Sequence, residues 1–229
     1  MIEPNLIWQK FLTVYKLPTG LARLQPGEGH NDNGILFLAF THVLAKLSGV
    51  STDSERPEVI KAMEGTKSAI KGQFLRQPND NRTNSHDNYV AICVLSRMYN
   101  LEYGADLFTR GLKTFFRFDG EQSQGGDVWF YLVMSGRWWQ WLLMAPFFLL
   151  FLHWYVAGSL IGIYKGNAST KNIALFRAAA LLTVGPLVFK PLGWVLLRLA
   201  LTKQPYGVQH YYNPDNPIHQ FVLNLKESK

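Results

Sequence analysis

The sequence predicts an all-α protein built from helical hairpins, and three observations carry that expectation. Apolar residues recur at helical spacing through most of the chain, and no stretch alternates apolar with polar residues as a half-buried strand does. Two apolar runs open on similar stretches, His30-Asn31-Asp32-Asn33-Gly34-Ile35 and Ser85-His86-Asp87-Asn88-Tyr89-Val90. Polar loops rich in Gly, Pro and Asn separate the runs, as hairpin connections require.

In chain order, residues 6–17 place Ile7, Phe11, Val14 and Tyr15 on one helical stripe that Pro18 and Gly20 end. Residues 18–29 are turn-rich, with Pro26-Gly27 as a tight turn and Arg23 and Glu28 close to the first Asp-Asn pair. The run at 33–47 is apolar nearly all round, which calls for burial on every side, and Ser48-Gly49 stops it. Ser54 is expected to cap the next helix, with Pro57 in its first turn. Its stripe is Val59, Met63, Ile70 and Phe74, opposite Lys61, Glu64, Lys67 and Lys71. A polar loop at 76–84 leads to the second buried helix, which ends near Asn100. A further helix is expected at 105–118, a Gly-rich loop at 119–127, and another helix at 128–134.

Residues 141–164 carry no formal charge, and His153 is their only ionisable interruption apart from tyrosine. The run is long enough to cross a bilayer. Trp138, Trp139 and Trp141 at one end and Tyr164 at the other have the character of an aromatic belt. Residues 173–201 are broken by Arg177, Lys190 and Arg198 and by two prolines, and are expected to form two shorter helices. Lys165, Lys171 and Arg177 cluster between the two regions, a weak positive-inside signal for a hairpin. Two placements follow for 138–201, a membrane-associated hairpin or the core of a compact helical protein. In the tail, Asp215 or Asn216 is expected to cap a short closing helix with Pro217 at its first position. The organisation expected is thus a helical-hairpin domain at 1–137, the hydrophobic hairpin at 138–201 and a closing segment at 202–229.

Composition narrows the function classes. The chain of 229 residues is 48% hydrophobic and only 17% charged, against roughly 25% charged in a typical soluble domain. Net charge is +7, yet the Lys and Arg residues are scattered, without the basic run or groove-reading motif of a nucleic-acid binder. Such a balance also suits an anionic membrane surface or an acidic polymer. Cys93 stands alone, so no intrachain disulfide is possible and a cysteine-ligated zinc site is not expected. Met1-Ile2-Glu3-Pro4 has neither the basic nor the apolar region of a secretory signal, so a cytoplasmic or membrane-associated location is expected. The sequons at Asn81 and Asn167 carry little weight on that footing. Walker, GxGxxG, HExxH, serine-elbow and EF-hand patterns are all missing.

The candidate catalytic residues are His30, Asp32, His86 and Asp87. If the two helix starts are neighbours, two imidazoles and two carboxylates face one polar depression, suited to acid–base work with Asp as base and His as proton shuttle. The same set could hold a divalent metal, although no metal ligand is assigned and the cofactor is left open. Arg23, Arg76 and Arg82 could clamp an anionic group, and Asn33 and Asn88 could orient a substrate. Glu121, Asp127 and His210 are outer candidates. The plainer reading is that Asp32 and Asp87 cap helices and that the histidines bond nearby backbone. His42 and His153 read as core histidines, and Trp129, Trp138, Trp139 and Trp141 as packing or interface residues before sugar platforms.

The paired helix starts, Asn33-Gly34-Ile35-Leu36-Phe37 and Ser85-His86-Asp87-Asn88-Tyr89, resemble short stretches of bacteriophage proteins. The pattern of buried helices opening on Asp-Asn resembles the helical-hairpin toroids of six-hairpin glycosidases and polysaccharide lyases. The likeness covers about the first half of the chain, and 229 residues are few for a twelve-helix ring. It implies a partial α/α toroid-like bundle and a hydrolase or lyase acting on a glycan or cell-envelope polymer. The rival is a membrane-associated structural protein of a virion or envelope, anchored through residues 141–201. His86-Asp87 also resembles the doublet of HD-type metal-dependent phosphohydrolases, where His30 and Asp127 could complete the site; here, unlike in that family, the doublet starts its helix.

Overall fold

The computed structural model describes residues 1–29, 32–78, 84–118, 121–203 and 215–227. The chain is all-α, as its periodicity predicts; among the described residues the only strands are the two-residue β1 (Arg117–Phe118) and β2 (Glu121–Gln122), paired antiparallel.

Helix α1 (Pro4–Lys10) continues into a π-helical turn, Phe11–Tyr15, before the turn-rich segment. Helix α2 (Gly34–Leu47) is buried at every position from Gly34 to Ala45, as a helix apolar all round must be. Helix α3 (Arg56–Thr66) has Pro57 in its first turn, but it stops eight residues short of the expected Phe74. The chain turns back there, so that Phe74 is buried through a bridge to Lys67 while Ile70 is exposed. The helical spacing of those two residues reflected no helix.

Helix α4 (His86–Tyr99) is capped by Ser85, whose Oγ accepts the Asn88 backbone N–H at 3.4 Å. It ends on Asn100 in the left-handed conformation (φ 53°) that asparagine tolerates better than most residues. Helix α5 (Tyr103–Lys113) gives way to the small hairpin at Arg117, where a longer helix was expected. Helix α6 (Gly125–Ser135) follows the Gly-rich loop.

The hydrophobic region forms α7 (Trp138–Met144), a 3-10 turn at Ala145–Phe147 that carries Pro146, and α8 (Phe148–Lys165). Residues 173–201 contribute to two helices, as their prolines and charges predict: α9 (Ala168–Thr183), capped by Asn167, and α10 (Lys190–Lys203). Helix α11 (Pro217–Glu227) closes the chain with Asn216 as its cap, Oδ1 accepting the Ile218 N–H at 2.9 Å.

Contacts run from α2 to α4, α4 to α6, α6 to α8 and α8 to α9, and α9 returns to α2. Five helices thus close a ring, with Phe40 of α2 and Phe176 of α9 meeting at its joint, ring centroids 5.3 Å apart. Helix α3 packs on α4, α5 on α4 and α6, α10 on α9 and α8, and α11 on α2. The buried apolar cluster extends from Ile7 to Val222. Two glycines set close approaches in this packing. A Cβ at Gly126 of α6 would lie 2.9 Å from the Tyr155 Cα of α8, and one at Gly193 of α10 would lie 2.8 Å from the Leu182 backbone nitrogen of α9.

One face of the molecule keeps its apolar side chains in the open. Within Trp138–Lys165 the most apolar 18-residue window has a mean hydropathy of 1.7, and only 22% of that window is buried. Leu149 is 76% exposed and Val188, just before α10, is 74% exposed; Leu142, Ile161, Leu187 and Val195 are exposed as well.

Candidate functional site

The site is built where helix starts meet. Asn88, fully buried on α4, accepts the Leu36 N–H of α2 through Oδ1 (3.2 Å) and donates from Nδ2 to the Asp32 carbonyl (2.8 Å) and to Asn84 Oδ1 (2.7 Å). The starts of α2 and α4 are therefore neighbours, as the repeated pattern suggested. Asn88 has a fastening role, and Ser85 is the cap of α4 in place of the expected Asp87. Asn33 occupies the position before α2, but its side chain does not cap that helix.

The four candidate acid–base residues do not all share one depression. Asp32 turns its carboxylate to Gln77 Nε2 (2.9 Å) and Arg76 Nη1 (3.4 Å), which occupies Arg76 as well. Arg23 donates to the Glu28 carbonyl within its own loop (3.1 Å). His30, Arg82 and His210 lie outside the described residues. The side chain of Glu121 does too. His86 and Asp87, in the first turn of α4, both line a cavity of about 200 Å³.

Behind that cavity the decisive partner of His86 is Asp127, in the first turn of α6 and 1% exposed. One carboxylate oxygen meets His86 Nε2 at 2.7 Å, and the other is paired with the guanidinium of Arg177 on α9. His86 Nδ1 faces Asp87 Oδ1 at 4.0 Å. Four helices of the ring contribute to the same cavity: His86 and Asp87 from α4, Gly126 from α6, Trp154 and Ser159 from α8, Arg177 from α9.

Burial works against a charged His86, but Asp127 and Asp87 outweigh it and push the imidazole up to about 9. For Asp127 burial alone would raise the carboxyl, and Arg177 and His86 together hold it below its usual 3.8. Near neutral pH the cluster is an imidazolium, a carboxylate and a guanidinium. His86 is then a proton donor before it is a base, and Asp87, still partly open to solvent, stands beside it. Asp127 already has two cationic partners, so a metal ion would have to displace one of them. Among the described residues no group of three His, Cys, Asp or Glu side chains is placed to hold a metal.

Sequence reasoning reached His86 and Asp87 and named Asp127 as an outer candidate. Arg177 entered that reading as an interruption of an apolar run and as a member of a basic cluster, not as a site residue. A lone arginine in such a run is itself a signal, because a buried guanidinium needs an anion. His42 is the core histidine its surroundings predict. The Tyr99 hydroxyl donates to the Thr52 carbonyl (3.0 Å), so His42 Nδ1, 2.5 Å away, must carry the proton of their contact. Complete burial, and Lys16 after it, pull His42 down to about 3, which keeps it neutral. Cys93 is fully buried, and burial pushes its thiol up to about 12, so it is inert.

Comparison of the chain with known protein families, with curated proteins and with solved structures found no match. The site therefore rests on its own geometry.

Proposed function

We propose that this protein works at a membrane surface, held there by the apolar face of α7, α8 and the start of α10. The observation that carries the reading is the exposure within Trp138–Lys165: a core helix of this composition would be mostly buried, and of its most apolar 18-residue window only 22% is. Basic and aromatic side chains border the face in pairs suited to a headgroup layer. Arg198 lies over the Trp194 ring at 4.4 Å, and Lys203 over Tyr164 at 5.6 Å.

The packing favours a seat in the plane of the interface over a crossing. The buried side of α8 rests on α6 and α9, and α6 in turn carries α5, whose Asp106, Arg110 and Lys113 are unsuited to hydrocarbon. Flotation with anionic vesicles tests the proposal. Wild type should float, and a variant carrying Leu149→Glu, Ile161→Glu and Val188→Glu should stay with the soluble fraction. Equal flotation of the two proteins would remove the reading.

A second reading keeps support from His86 and Asp87. A protonated imidazole and a carboxylate sharing one cavity suit hydrolysis or lysis at the end of a cell-envelope glycan or polymer, with His86 as acid and Asp87 as base. Release of reducing ends from envelope polymers, abolished in Asp87→Asn, is the expected result; no release by wild type would dismiss it.

A further inference from the structure

The cavity and the apolar face share a border. Trp154 and Gly158 line the cavity and are both exposed on the outer side of α8, the side that bears Leu149, Leu150 and Ile161. A Cβ built on Gly158 meets nothing within 4 Å, so the mouth is open there. A molecule entering past Gly158 comes from the surface placed against the membrane. This inference rests on that placement.

The lining says what would enter. The Arg177 Nε–H is buried at the cavity wall without a hydrogen-bond partner among the described residues, and the Tyr155 hydroxyl beside it has only the Ser159 hydroxyl within reach. A buried donor without an acceptor is costly, and this wall calls for an acceptor-rich ligand. First-turn residues of three helices reach the same space: His86 of α4, Gly126 of α6 and Thr170 of α9. Helix starts carry partial positive charge, which adds to His86 and Arg177 against the two aspartates. At about 200 Å³ the cavity lies below the roughly 300 Å³ at which drug-sized pockets begin, room for a headgroup but not for an oligosaccharide.

We infer that the cavity binds the phosphate-bearing polar end of an amphiphile, admitted past Gly158 while its apolar part stays along α8. Phosphate oxygens would accept from Tyr155 and Arg177, and Trp154 would flank the remainder of the headgroup.

Glycerol phosphate, a headgroup without acyl chains, is the probe that separates this inference from membrane seating. It should raise the melting temperature of the full chain in a saturable manner, whereas glycerol should not. Gly158→Leu should close the mouth, raising the glycerol phosphate concentration for half effect about tenfold or more. The same variant should still float with vesicles, since it adds apolar surface to the face. Tyr155→Phe, which keeps the ring in place, should weaken the response several-fold. The triple glutamate variant should lose flotation and keep the glycerol phosphate response. Absence of a glycerol phosphate effect in wild type, or an equal effect in Gly158→Leu, overturns the inference whatever the vesicles do. A phosphate response without vesicle preference would leave a soluble phosphate ester as the occupant and overturn the amphiphile.

Discussion

Asp127 meets His86 at 2.7 Å from a position 1% exposed, and the contact joins the first turn of α6 to the first turn of α4. The same carboxylate neutralises Arg177 on α9, so one buried anion holds three ring helices in register. Asp127→Asn would leave a buried guanidinium uncompensated. The expected cost is about 3–5 kcal/mol, read as a lower denaturation midpoint. The His86 resonance, followed by NMR titration, should move down from about 9 in that variant.

The His86 value also sets a pH dependence. Its folded-state value of about 9 lies above the 6.5 of free imidazole. Its contribution to stability is therefore fully present below pH 6.5 and is lost as pH rises through about 9. The linkage amounts to about 3 kcal/mol. Melting temperatures measured across that window should fall more for wild type than for His86→Gln. Parallel falls in the two proteins would place the linkage elsewhere.

Asn88 makes its own prediction, because its amide satisfies the Leu36 N–H and the Asp32 carbonyl together. Asn88→Leu fills a similar volume and leaves both backbone groups buried without it. A loss of about 2–4 kcal/mol is expected from two such groups, measured by denaturant unfolding. Asn88→Asp, which retains the acceptor and loses the donor, should be destabilised as well.

Tyr99→Phe tests the neutral His42. The substitution removes the hydroxyl that donates to Thr52 and receives the His42 proton, leaving buried polar atoms on both sides. About 1–3 kcal/mol should be lost. His42→Phe in the Tyr99→Phe background should cost less than in wild type, since the imidazole has already lost its partner.

The elements that could be read from sequence are those whose signal is local. Helix α2 declares itself by apolarity all round, α11 by Asn216 and Pro217, and the break between α9 and α10 by Gly185 and Pro186. The end of α3 did not, because Ile70 and Phe74 keep helical spacing after Thr66 while the backbone folds back on the Lys67 bridge. The adjacency of the two Asp-Asn starts was legible from their likeness. The division of labour between them was not: Asp32 belongs to Arg76 and Gln77, and His86 to an aspartate on α6. Asp127 and Arg177 lie 50 residues apart on different helices, and only the closing of the ring brings them together.

That closing contact has a kinetic consequence. Because α9 seals against α2, a nascent chain cannot complete its interior until α9 has been made, and until then α2 lacks the partner that Phe176 supplies to Phe40. Contacts of such long sequence separation delay folding, since the intervening loop entropy is lost before the contact forms. Synthesis should therefore pass through a stage in which α2 and the side of α8 that α9 covers are both sticky. Ribosome-bound chains stalled before α9 should be protease-sensitive and chaperone-bound, and chains stalled well beyond it should be neither.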